Sequence, residues 1–95
     1  MDISASGNII TITGNIKSVS DFQTIKSTID SIKSSHNAIT IDIKDSISIT
    51  SSVIGYLNKL VLKESIDLNL KVGDTQLMEL LDDLNLKVLF KARRR

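Results

Sequence analysis

Strict alternation of apolar and polar residues, the pattern of a half-buried β-strand, recurs along the chain. The clearest case is the segment NIITIT, in which Ile10 and Ile12 share one face and two threonines lie opposite. The first two alternating segments are expected to form a hairpin that turns at Gly7-Asn8. Five segments carry the pattern and predict five strands: 2–5, 8–13, 38–43, 68–72 and 86–90.

Apolar residues spaced three and four apart, the pattern of an amphipathic helix, fill the gaps between the later strands. They predict three helices, over 21–34, 51–64 and 75–84. Ser20 and Gln23 match a capping box at the start of the first helix. Asp74 is expected to cap the third helix, and Asn85 to end it.

The predicted order, ββαβαβαβ, indicates an α/β domain with a mixed, mostly parallel five-stranded sheet. Strands covered on both faces are continuously apolar, whereas these strands alternate. We therefore expect the helices mainly on one face, which leaves the face with Thr40, Asp42, Asn69 and Lys71 open. Residues 1–91 are assigned to one domain and 92–95 to a basic, solvated C-terminal tail.

Composition excludes several function classes. The 95 residues carry a net charge of +1 and include no Cys, no Trp and one His, so they lack thiolate ligands and the aromatic surface that stacks on bases. No apolar run approaches the length of a membrane span, and no signal peptide opens the chain. We expect a cytoplasmic protein without cofactor, metal, nucleic-acid ligand or membrane insertion.

The segment ITSSVIGYL places three hydroxyl residues, Thr50, Ser51 and Ser52, between the third strand and the second helix. One hydroxyl is expected to cap the helix, since Ser and Thr are common N-caps. The start of a helix also stabilises negative charge, so a phosphoryl group on Ser51 would be accommodated there without unfolding the helix. The cap is the stronger interpretation from the residues alone.

Other polar candidates have simpler explanations. Asp42 and Asp45 near the end of the third strand lack a third metal ligand, and a solvated strand end explains them better. His36 is expected to be a loop residue. No glycine-rich phosphate loop and no set of nucleophile, base and orienting residue is present. The sequence gives no support for an enzyme.

The order of elements, together with ITIDIKDSISITSSVIGYLNKL (residues 39–60), resembles the STAS domain of anti-sigma factor antagonists. That family's signature is an apolar strand, Asp-Ser-Ser-Gly-Leu-Gly, and a helix. Here Thr50 stands in place of the aspartate and Val53 in place of the first glycine. The resemblance extends over nearly the whole chain.

The resemblance implies a non-enzymatic regulator that binds a protein partner, an anti-sigma factor or a serine kinase. Phosphorylation of the family's first signature serine breaks that complex, and this serine corresponds to Ser51. Thr50, Ser52, Val53 and Ile54 would form the partner-binding rim. A monomer or weak dimer is expected, with Leu89 or Phe90 partly uncovered at the end of the chain.

Use of Thr50 in place of Ser51 as the modified residue remains open from the sequence, and so do two other functions. One is a constitutive STAS-like scaffold subunit of a larger sensory or transport assembly, which is never phosphorylated. The other is a domain that binds a small anion or a nucleotide at the helix start, residues 50–53.

Overall fold

The computed structural model describes all residues, 1–95, as one five-stranded sheet with three helices. The predicted α/β class and the order of elements are confirmed. The elements are β1 (Asp2–Ser6), β2 (Ile9–Thr13), α1 (Val19–Lys33), β3 (Ala38–Ile43), α2 (Ser51–Leu62), β4 (Asp67–Val72), α3 (Thr75–Asp83) and β5 (Arg93–Arg94).

The strands follow one another across the sheet in the order of the sequence. β1 and β2 are antiparallel, and their register places Ser6 opposite Ile9. The two-residue turn between them is therefore Gly7-Asn8, as predicted, and Gly7 adopts a φ of 60°, which favours glycine. The other neighbouring strands are parallel.

One face of the sheet carries the core. In each of β2, β3 and β4 the alternate apolar residues are buried, and they form one cluster with the helices. Thr40, Asp42, Asn69 and Lys71, on the opposite face, are all half-buried. The alternation thus correctly predicts a sheet with helices on one face, because each strand has only one face to bury.

The caps of the helices follow from local hydrogen bonding, with one difference from the prediction. α1 begins with a capping box of Ser18 and Asp21, two residues before the predicted Ser20 and Gln23. The acidic side chain of Asp21 accepts from the backbone N–H groups of Lys17 and Ser18. These hydrogen bonds stabilise the carboxylate and lower the pKa of Asp21, and the bond from Lys17 has the largest effect.

α3 begins and ends as predicted. Asp74 accepts hydrogen bonds from the backbone N–H groups of Gln76, at 2.8 Å, and Leu77, at 3.2 Å. Asn85 adopts a φ of 59° just after the helix, the left-handed conformation that ends many helices.

The predicted strand over 86–90 is wrong. Phe90 N–H donates to the carbonyl of Leu86 at 2.9 Å, so the segment forms a helical turn. Leu86 and Phe90, four residues apart, are buried, while Val88 is 88% exposed. Leu89 is half-buried, but Phe90 is fully covered and offers no surface for a dimer.

The last strand is formed by the basic end of the chain. Arg93 and Arg94 pair with Lys71 and Val72 of β4, and Ala92 is buried. The expectation of a solvated tail over 92–95 therefore does not describe Arg93 and Arg94, which add a fifth strand to the sheet. None of the three helices has the length and continuous apolar character needed to cross a bilayer.

Candidate functional site: the start of the second helix

Thr50 is the N-cap of α2. Its backbone is extended, with φ −87° and ψ 157°, and its hydroxyl oxygen accepts from the backbone N–H of Val53 at 3.3 Å. Its carbonyl accepts from Ile54 N–H at 3.0 Å. Of the three consecutive hydroxyl residues, Thr50 therefore makes the capping hydrogen bond.

Ser51 and Ser52 are the first two residues of α2, and both are exposed. Neither side-chain hydroxyl makes a hydrogen bond with another group of the protein, whereas that of Thr50 does. Their backbone N–H groups also lack acceptors, as expected for the first turn of a helix. Ser51 thus combines a free hydroxyl with the positive end of the helix dipole.

The other two residues assigned to the rim differ in exposure. Val53 is 2% exposed and belongs to the core cluster, so it does not lie on the surface expected for it. Val53 precedes Tyr56, Leu57 and Leu60 at helical spacing and shares the buried face of α2 with them. Ile54 is half-buried and packs against the edge of the core.

The loops before α1 and α2 are joined by side-chain hydrogen bonds. Asp45 accepts from Gly14 N–H at 2.7 Å, and Asn15 accepts from Ile47 N–H at 3.0 Å. Ser48 donates its hydroxyl proton to the carbonyl of Ile16 at 2.8 Å. Each loop thus fixes the other, and together they fix the position of Thr50.

Ser46 lies at the centre of this loop network. It is the one fully buried polar residue in the protein, with 0% exposure. Its hydroxyl oxygen accepts from Ile16 N–H at 3.0 Å, and its proton is donated to the carbonyl of Ser48 at 2.7 Å. A buried hydroxyl is tolerated here because its hydrogen bonds are made.

Two exposed apolar residues flank the start of α2. Val19, the first residue of α1, is 74% exposed, and Ile47 is 50% exposed. A shallow hollow of about 130 Å³ separates the starts of α1 and α2, lined by Lys17, Ser18, Val19, Phe22, Thr50 and Ser52. The starts of the two helices therefore share one surface.

Gly55 lies on the outer side of α2, one turn after Ser51. A Cβ atom added to it would meet no atom within 4 Å, and its backbone is helical. Glycine inside a helix is less favourable than alanine by about 1 kcal/mol, and nothing within the domain requires it here. We call the exposed residues Val19, Ile47, Ser51, Ser52 and Gly55 the helix-start surface.

Tyr56 anchors α2 to α1 beneath this surface. Its hydroxyl donates to Asp30, and its ring meets Phe22 edge-on at 6.3 Å. Lys26 and Lys33 both contact the Asp30 carboxylate, at 2.8 and 3.2 Å. Hydrogen bonds from the Lys26 ammonium, which has the largest effect, and from the Tyr56 hydroxyl hold the pKa of Asp30 well below its usual range. Burial and the neighbouring carboxylate raise the pKa of Tyr56.

The two aspartates near the end of β3 are engaged in different interactions. Asp42 makes two contacts with the Arg95 guanidinium, at 2.6 and 3.1 Å, and this carboxylate raises the pKa of Arg95. Asp45 accepts the loop hydrogen bond from Gly14. Neither is the simple solvated strand end that we expected, and no group of three metal-ligating side chains forms in the protein.

The loop network and the exposed apolar residues were not predicted from the sequence. A signal for the network was present, because polar residues directly follow β2 and β3. The carboxyl ends of neighbouring parallel strands meet at one edge of the sheet, where Asn15 and Asp45 then lie close together. The exposure of Val19 and Ile47 depends on tertiary packing and has no local signal.

Comparison with protein-family models, with curated proteins and with solved structures gives no significant match for this chain. The resemblance to STAS domains rests on the order of the elements and on the segment from β3 to α2.

Proposed function

We propose that this chain is a non-enzymatic, protein-binding regulator of the anti-sigma factor antagonist type. It acts in the cytoplasm, binds an anti-sigma factor or a serine kinase through the helix-start surface, and is switched by phosphorylation of Ser51. The observation that supports this most is the separation of two roles. Thr50 caps α2, so Ser51 is free to be modified without loss of the cap.

Local electrostatics favour a phosphoryl group on Ser51. The first turn of α2 contains no acidic residue, and the N–H groups of Ser51 and Ser52 have no protein acceptor. The threonine that replaces the family's aspartate caps the helix as a neutral group. A phosphoryl group of charge about −2 on the next residue therefore meets no adjacent carboxylate.

The same charge would disrupt a protein interface. Val19, which shares a hollow with Thr50 and Ser52, and Ile47 offer exposed apolar contact, and Gly55 lets a partner approach the backbone of α2 closely. A dianion buried between two proteins without a basic partner costs several kcal/mol. The expected switch is therefore local, with the fold preserved and the partner released.

The proposal is tested by phosphorylation in an extract of the native cell supplied with ATP, followed by mass spectrometry of the recovered protein. We expect one phosphate, on Ser51, in the wild type and none in Ser51→Ala. Ser35→Ala, which removes an exposed hydroxyl elsewhere, serves as the matched control and should be phosphorylated like the wild type.

Modification of Ser35, Ser52 or Thr50 in place of Ser51 would contradict the switch. An unmodified wild type that nevertheless retains a partner through the helix-start surface would favour the constitutive scaffold subunit instead.

A further inference from the structure

Cationic residues gather at the carboxyl ends of β4 and β5, and none of them belongs to the helix-start surface. Lys71, Arg93, Arg94 and Arg95 line a hollow of about 420 Å³, together with the carboxylate of Asp42. This cluster, the β4–β5 hollow, contains no apolar lining residue. It has no role in the function proposed above.

Two of the arginines are held in place by the protein. Arg95 contacts Asp42 at 2.6 and 3.1 Å. Arg94 donates to the Thr75 hydroxyl at 3.0 Å and to the carbonyl of Gly73 at 3.3 Å.

Arg94 pairs with Val72, whose side chain lies in the core, so the Arg94 side chain is on the helix face of the sheet, beside the start of α3. Lys71, Arg93 and Arg95 lie on the opposite face and supply the positive charge of the hollow.

The other two cations have no anionic partner at all. Lys71 of β4 and Arg93 of β5 are directly opposite in the parallel register, and neither makes a salt bridge. Like charges at opposite positions of neighbouring strands destabilise the pairing. An anion bound between them would remove this repulsion.

The hollow is also unlike the rest of the molecule in charge. Its three cations, Lys71, Arg93 and Arg95, and the carboxylate of Asp42 sum to +2, whereas the whole chain carries +1, so the other residues sum to −1. The positive charge is therefore concentrated at this hollow.

We propose that the β4–β5 hollow binds a small ligand that carries adjacent phosphoryl groups. Its volume falls within the range of small-molecule sites. Guanidinium groups match the geometry of phosphate oxygens and bind them with two parallel hydrogen bonds. No apolar or aromatic side chain lines the hollow to contact a nucleobase or a lipid tail, so recognition is by charge.

Tripolyphosphate in magnesium-free buffer is the probe, titrated into the full-length protein and followed by amide NMR. We expect saturable shifts centred on Lys71 and Arg93–Arg95. The double variant Lys71→Gln/Arg93→Gln should bind at least about tenfold more weakly, since it removes the two uncompensated charges. Its matched control is Lys63→Gln/Lys87→Gln, which removes two exposed cations outside the hollow and should bind like the wild type.

Two further arms distinguish the source and the chemistry of the anion. Vesicles with phosphoinositide headgroups test for a lipid source, and stronger binding to them than to tripolyphosphate would place the phosphoryl groups on a membrane. Oligoglutamate tests for an acidic peptide. Equal binding of oligoglutamate would overturn the assignment to phosphate, as would equal loss of affinity in both double variants or absence of saturable shifts at millimolar tripolyphosphate. None of these results bears on partner binding at Ser51.

Discussion

The hydroxyl oxygen of Ser46 lies 3.0 Å from the backbone nitrogen of Ile16 and is completely shielded from solvent. This hydrogen bond joins the loop before α1 to the loop before α2. Ser46 is thus the buried member of the hydrogen-bond network that positions the two helix starts.

Ser46→Ala is expected to destabilise the protein by about 1–3 kcal/mol, because it leaves the buried N–H of Ile16 without an acceptor. Urea denaturation followed by circular dichroism measures the change. Ser35→Ala, an exposed serine whose side chain makes no hydrogen bond within the protein, should change the free energy of unfolding by less than about 0.5 kcal/mol. Equal effects of the two substitutions would show that the loop network is not needed for stability.

Removal of the hydroxyl of Thr50 and removal of that of Ser51 should have different effects on the free energy of unfolding. Thr50→Ala removes the N-cap of α2 and should cost about 1 kcal/mol. Ser51→Ala removes an exposed hydroxyl without a protein partner and should stay within about 0.5 kcal/mol of the wild type. A larger loss for Ser51→Ala than for Thr50→Ala in the same urea titration would mean that the cap has been assigned to the wrong residue.

Gly55→Ala should have opposite effects on stability and binding. The added methyl group has open space and should stabilise the helix by about 0.5–1 kcal/mol. The same methyl group would hold a partner away from α2, so affinity for the partner that the wild type captures should fall. Ser27→Ala, at an exposed position in α1, controls for a general effect of alanine in a helix. Unchanged partner affinity in Gly55→Ala would place the contact elsewhere.

The protein should lose stability at alkaline pH because of Tyr56. Its pKa is raised above the ordinary value of about 10, so the folded protein keeps a proton that the unfolded chain releases. Deprotonation therefore stabilises the unfolded state more than the folded state as the pH rises above about 10, and the free energy of unfolding falls. The sequence contains no Trp and one Tyr, so phenolate absorbance reports this residue alone.

Tyr56→Phe is the control for that alkaline effect. It removes the hydrogen bond to Asp30 and should lower stability at neutral pH by about 1 kcal/mol or more, while its stability above pH 10 should fall less steeply than that of the wild type. Phenolate absorbance that rises at an ordinary pKa in the folded wild type would contradict the buried contact.

The identical hexapeptide DLNLKV shows why part of this fold was predictable and part was not. Residues 67–72 form β4 between two other strands, and alternate residues of the segment are buried. Residues 83–88 leave α3 through a turn, with Leu84 48% exposed and Val88 88% exposed. Alternation over five or six residues is compatible with both conformations, and tertiary contacts decide between them.

The helices and the first four strands were predictable because each has an amphipathic pattern of its own. The strand formed by Arg93 and Arg94 has none, and it exists because β4 offers an edge with which to pair. The position of Ser51 at the start of α2 was predictable from the hydroxyl cluster. The assignment of the cap to Thr50 and the burial of Val53 required the helix to be placed against the sheet.

Negative charge at Ser51 is expected to release a partner while the fold stays intact. The most direct measurement is affinity capture from the native cell with wild type, Ser51→Asp and Ser51→Ala, with thermal unfolding of each variant. We expect an unchanged melting temperature in all three, a partner retained by wild type and Ser51→Ala, and its loss in Ser51→Asp. A partner bound equally by Ser51→Asp, or a Ser51→Asp protein that unfolds at clearly lower temperature, would contradict the claim.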